Sequence, residues 1–260
     1  MPSLLLAFLL SVVTVLLLVR TSGVLRQELA GFPSPVRSGF ALFLLAATLA
    51  LASFAPLLQY SAVDPNQVPE NIPFGFYFAG HGLLVAFLVS WWGLAGCPSL
   101  AKFLVFRWRP LWSAVRFGLI GGFVAWLVTL SVMAIVAGLT TLLDPTALPQ
   151  QEGLPATVGR IVELSWFQRL LLVLSAGIVE EAFFRSFLQT RTGLLISTLF
   201  FVVSHMTYGL PLMLVGIFAV SLMFGLIFRA RNDVVPCMVA HSTFDAIQLF
   251  LILPATAAAS

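Results

Sequence analysis

The chain has 260 residues, of which 60% are apolar and 9% charged, with a mean hydropathy of +1.05 and a formal net charge of +3. A soluble globular domain carries about 25% charged residues, so this composition excludes one and marks an integral membrane protein. The small positive balance follows from how basic residues are distributed across a membrane; it suits anionic lipid head groups and gives no reason to expect a nucleic-acid partner.

A helix needs about 20 mostly apolar residues to cross a bilayer, because its backbone polar groups must be satisfied within the segment. On that basis the sequence predicts an all-α fold, a polytopic transmembrane helical bundle of about eight spans, at 3–19, 39–59, 76–96, 117–143, 166–188, 193–208, 210–228 and 234–253. No basic residue precedes the first span, and its apolar run from Leu4 to Val19 is long for a signal peptide, so it reads as an uncleaved helix. The third span carries His81 near its outer end, which reads as structural or interfacial, and Trp91, Trp92, Trp108 and Trp112 read as interface anchors. The sixth and seventh spans are short and separated only by the breakers Tyr208-Gly209-Leu210-Pro211, which predicts a tight hairpin or a bent pair. Cys97 and Cys237 make neither a disulfide framework nor a zinc motif.

Orientation follows from Lys and Arg. Arg20, Arg26, Arg37, Lys102, Arg107, Arg109, Arg116, Arg191, Arg229 and Arg231 fall in alternate loops, whereas the remaining loops hold Asp64, Glu70, Asp144, Glu152 and Glu163 with only Arg160 and Arg169. Both termini are therefore expected outside and the basic loops in the cytosol, in a membrane that reads as a prokaryotic plasma membrane. Residues 1–116 are expected to form N-terminal spans without evident chemistry, and residues 117–260 a bundle that carries it.

Six ionisable residues lie inside the last spans: Glu180, Glu181, Arg185, His205, His241 and Asp245. Each charge at the bilayer centre costs about 2.5–3.5 kcal/mol even on the mild insertion scale, so such groups face a protein interior or a wet cavity. Glu181 and Arg185 are four apart on one helix face, in the favoured orientation for an ion pair; His241 and Asp245 are also four apart and share a face. Glu180 lies about 100° around the helix from Glu181 and need not share its pair. At about 1.5 Å per residue, Glu180 is ~12 Å from the cytosolic end of its span, His241 ~10 Å, Asp245 ~16 Å and His205 ~18 Å, so all four can meet in one cavity open to the cytosol. Such a set suits hydrolysis in two ways. Glu180 and His205 could deprotonate a water while His241 and Asp245 stabilise an oxyanion; or Glu180, His205, His241 and Asp245 could bind a divalent metal such as zinc. Spacing does not decide between them.

The motifs Glu180-Glu181-Ala182-Phe183-Phe184-Arg185, Phe201 to His205 and His241-Ser242-Thr243-Phe244-Asp245 resemble the EExxxR, FxxxH and HxxxN/D pattern of the CPBP intramembrane proteases. That group includes the CAAX prenyl endopeptidases and bacteriocin-processing or immunity proteins. The resemblance covers roughly residues 160–253. It implies an endopeptidase with its site inside the membrane, acting on a membrane-associated and in some members prenylated peptide. Glu180 and His205 would activate water, His241 and Asp245 would complete the oxyanion or metal site, and Glu181 and Arg185 would hold the helix, with Phe201 packed beside them. The family is commonly labelled metalloprotease, although a glutamate-only mechanism has been argued. Asp245 stands where the CAAX endopeptidases typically have Asn, which favours a protonated Asp245 or a metal ligand. Two rival functions share these residues: a scaffold or immunity protein that uses the polar cavity for binding, and an ion-coupled transporter, against which the one-sided distribution of polar residues argues.

Overall fold

Hydroxyl and carboxylate caps set five of the helix starts, as expected where the first backbone N–H groups of a helix have no partner of their own. The computed structural model describes residues 2–59, 73–107, 110–146, 156–206 and 211–259. Helix α1 (Pro2–Thr21) is followed by α2 (Gly23–Ala30), capped by Ser22, and α3 (Pro35–Leu49), capped by Ser34 with Pro35 in its first turn. A π-helical turn, Ala50–Phe54, carries α3 into α4 (Ala55–Gln59). A 3-10 turn, Phe74–Phe78, leads into α5 (Ala79–Leu94), and α6 (Leu100–Phe103) is capped by Ser99. Then come α7 (Leu111–Leu143), α8 (Ala156–Glu163) and α9 (Trp166–Glu181), which starts with a capping box between Ser165 and Gln168. Helix α9 continues through a π-helical segment, Ala182–Gln189, into α10 (Thr190–Thr192). Gly193, at φ +90°, turns the chain into α11 (Leu194–Ser204). The chain ends with α12 (Pro211–Arg231), α13 (Val234–Ile247), capped by Asp233, a π turn Gln248–Ile252 and α14 (Leu253–Ala259). No strand occurs among the described residues.

Among the described residues, six helices are long and apolar enough to cross a membrane: Ser3–Thr21, Pro35–Leu58, Phe74–Leu94, Leu111–Leu143, Pro211–Arg231 and Val234–Thr256. The chain is thus an all-helical multi-pass membrane protein. Helix α9 with its π continuation is a further long element and carries the buried Glu181 and Arg185. By contrast α11 has 11 residues, or roughly 17 Å, against a hydrocarbon core of about 30 Å. The segment expected as a span at 193–208 therefore stops about halfway, at Ser204. Of the breaker stretch that follows, Tyr208, Gly209 and Leu210 lie outside the described residues, as do Trp108, Arg109, Asp64, Glu70 and Glu152.

Close packing of α13 fixes the interior. Ala114, Gly118, Gly122, Ala125 and Thr129 form a buried stripe of small residues along α7, the pattern that lets membrane helices approach closely. A Cβ at Gly118 would lie 2.6 Å from the Val239 Cβ, and one at Gly122 would lie 2.5 Å from the Ala240 carbonyl oxygen. On the other side of α13, a Cβ at Gly177 of α9 would collide with the Ser242 hydroxyl and come within 2.8 Å of the Met238 carbonyl. Helix α13 is thus held between α7 and α9. The largest apolar cluster joins α1, α2, α3, α5 and α6 to α9 and α11, through residues such as Leu45, Phe87, Trp91, Phe183, Phe187 and Phe201.

Trp91 departs from the sequence reading. It is fully buried, with its indole N–H donated to Glu28 at 3.0 Å, and packs edge-on against Phe187 at 4.8 Å. It is a core residue, whereas Trp112 is 70% exposed as an interfacial anchor would be.

Candidate functional site

Glu181 and Arg185, both fully buried, fall on the last turn of α9 and the wider turn that follows. Arg185 Nε donates to Glu181 Oε2 at 3.0 Å, both side chains being fully buried, and its Nη2 donates to the Ser221 hydroxyl of α12 at 3.1 Å. The guanidinium also lies 5.3 Å from the centre of the Phe201 ring, a cation–π distance. The other oxygen of Glu181, Oε1, is 2.9 Å from His241 Nδ1, and His241 Nε2 faces Asp245 Oδ2 at 3.4 Å. The His241 ring stacks on Phe224, with centroids 4.9 Å apart. One continuous polar chain, Ser221–Arg185–Glu181–His241–Asp245, therefore joins α12, α9 and α13. A carboxylate removed from water in this way needs such partners to exist as an ion at all.

Glu180 belongs to a different set. Its Oε1 is 3.3 Å from His81 Nε2, and its Oε2 is 3.9 Å from His205 Nε2. Oε2 is buried and has no hydrogen-bond partner among the described residues. His205 ends α11, its ring stacked on Phe201 at 4.5 Å, with Nδ1 2.7 Å from the Phe201 carbonyl oxygen. A carbonyl oxygen only accepts, so Nδ1 carries a hydrogen, and Nε2 faces Glu180. Side-chain exposure separates the two carboxylates: 13% for Glu180, 0% for Glu181.

Residues 162–247 match the family model described as type II CAAX prenyl endopeptidase Rce1-like. This stretch is similar to that family and is called the Rce1-like domain below. It runs from the end of α8 to the end of α13 and includes all the motif residues from Glu180 to Asp245. Comparison with curated proteins and with solved structures gave no match.

Within the Rce1-like domain the structure brings Glu180 to His205, and Glu181 and Arg185 to His241 and Asp245, with Phe201 between the two sets: its ring contacts His205, His241 and the Arg185 guanidinium. It does not gather Glu180, His205, His241 and Asp245 into one coordination set. Among the described residues no three His, Cys, Asp or Glu side chains are placed to hold a metal ion.

Two contributors lie outside the Rce1-like domain: His81, which the sequence reading took as structural or interfacial, and Glu28, which it did not single out. His81 of α5 contacts Glu180; the signal for it was that His81 alone is ionisable within the first four expected spans. Glu28 of α2 accepts from Arg191 Nε at 2.6 Å and Nη2 at 2.5 Å, while the Ser22 hydroxyl donates to the Arg191 carbonyl. The Arg191 guanidinium lies 4.1 Å from the Phe187 ring centre. This pair clamps the end of the segment that carries the site to α2.

Proposed function

We propose that the chain is an intramembrane endopeptidase that hydrolyses a peptide bond of a membrane-associated peptide, with Glu180 as general base. The observation that carries this reading is the facing pair Glu180 Oε2 and His205 Nε2, 3.9 Å apart and inside the bundle. One water can reach both, giving one O–H to each. Glu180 takes the water's proton as its oxygen bonds to the scissile carbonyl carbon, and the carbonyl π electrons move onto oxygen. Collapse of this tetrahedral oxyanion breaks the C–N bond, and the amine leaves with the proton returned by Glu180. Water is consumed and the carboxylate is regenerated.

His241 supports the oxyanion in this scheme. Its Nδ1–H is committed to Glu181, which fixes the ring, so a proton held between Nε2 and Asp245 Oδ2 is the donor offered to the developing charge. Glu181 and Arg185 position the ring and do not touch substrate. The site lies ~10–20 Å from the end of the bundle that carries Arg20, Lys102, Arg191 and Arg231, and the bias of Lys and Arg toward that end makes it the cytosolic face.

The test is cleavage of a panel of membrane-anchored and lipidated peptides by purified protein in detergent, with and without a chelator. Wild type cleaves at least one peptide, and chelation leaves its rate within about twofold, since no step runs through a metal. Glu180→Gln lowers kcat by roughly 10²–10⁴-fold, the range for loss of a general base, with the thermal unfolding midpoint unchanged. Equal cleavage by the variant sinks the assignment of Glu180.

A further inference from the structure

We infer that His81, which lies outside the Rce1-like domain, is a positioning residue for Glu180 and makes α5 part of the working site. This inference rests on the hydrolytic reading above. Glu180 can do its proposed work only with a defined oxygen aimed at the water. A carboxylate rotates freely about its last bond unless one oxygen is held, because that torsion has broad wells. Here Oε1 is held by His81 Nε2 at 3.3 Å, which leaves Oε2 toward His205. The imidazole is itself placed. It follows the Phe74–Phe78 turn and packs edge-on against Phe78, centroids 6.1 Å apart, with a side chain only 12% exposed. If Nε2 donates to the carboxylate, Nδ1 is an acceptor; it is buried and has no partner among the described residues. Both ends of the His81–Glu180 pair thus keep one polar atom free, as expected of a pair that flanks a hydrated centre.

Two neutral variants separate positioning from packing. Gln places an amide N–H near the position of Nε2, whereas Phe keeps the ring volume and removes the donor. His81→Phe is expected to lower kcat by on the order of 10–100-fold, the scale for loss of an orienting partner, with KM within about twofold. His81→Gln is expected to recover most of that loss. A kcat unchanged in His81→Phe, a loss confined to KM, or a Gln variant no better than Phe overturns the proposal. A readout that needs no activity runs beside it: a double-mutant cycle on the unfolding midpoint with His81→Phe, Glu180→Gln and the double variant. A midpoint for the double variant that departs from the sum of the two single shifts shows that the residues are coupled, and additive shifts overturn the pairing. Should wild type cleave no peptide, the protease reading fails while the cycle still decides whether His81 holds Glu180.

Discussion

Glu180 and Glu181 are chain neighbours with opposite surroundings. Glu181 spends its oxygens on Arg185 and His241 and is sealed from solvent; Glu180 is held at one oxygen by His81 and leaves the other toward His205. Burial of the first is tolerable because each of its oxygens meets an N–H donor. The same logic bears on Asp245, which is 25% exposed at the side chain and touches His241 alone among the motif residues. If its part is to supply a proton toward the oxyanion, an amide can replace it and a methyl cannot. Asp245→Asn should therefore keep kcat within about fivefold of wild type, while Asp245→Ala loses about 10²–10³-fold, the range for removal of one oxyanion donor. Steady-state kinetics on the peptide found in the cleavage panel measure this, and an inactive Asn variant beside an active Ala variant would refute the role.

At the scale of elements, the site depends on how closely α9 lies against α13. Gly177 is one turn before Glu181 and abuts Met238 and Ser242, within one turn of His241. Gly177→Ala should push the two helices apart, stretch the 2.9 Å Glu181–His241 contact and cost about 1–3 kcal/mol, as overpacking generally does. Gly138→Ala on α7, where an added Cβ meets nothing within 4 Å, should stay within about 0.5 kcal/mol and serves as control. Thermal unfolding in detergent compares them. The motifs on α9, α11 and α13 were legible in the sequence because residues four apart share a helix face, and that periodicity survives in any fold. His81 was not, since its meeting with Glu180 depends on the longitudinal offset of two helices: it is the third residue of α5, whereas Glu180 is the fifteenth of α9. Hydropathy gives span positions but no offsets. It also could not show that α11 stops halfway, or that Trp91 turns inward to reach Glu28.

At the scale of the whole molecule, the basic end is tied together by Glu28 and Arg191, and one exposed thiol reports which side of the membrane that end faces. Cys97 follows α5 there and is exposed, whereas Cys237 is buried. In intact cells a membrane-impermeant maleimide should leave the protein unlabelled; after permeabilisation it should label Cys97 and spare Cys237, as judged with Cys97→Ser. Labelling of Cys97 in intact cells would invert the topology drawn from the Lys and Arg distribution.

The residues proposed for the chemistry run from His81 to Asp245 and sit on four helices that leave the ribosome at different times. At typical synthesis rates of about 5–20 residues per second, roughly 10–30 seconds separate the first from the last. Throughout that interval Glu180 lacks the oxyanion partners of α13, and Glu181 lacks His241. On the proposed mechanism, a nascent chain threading the insertion machinery alongside other exposed polypeptides is therefore harmless to them: hydrolytic competence arrives with α13 and not before.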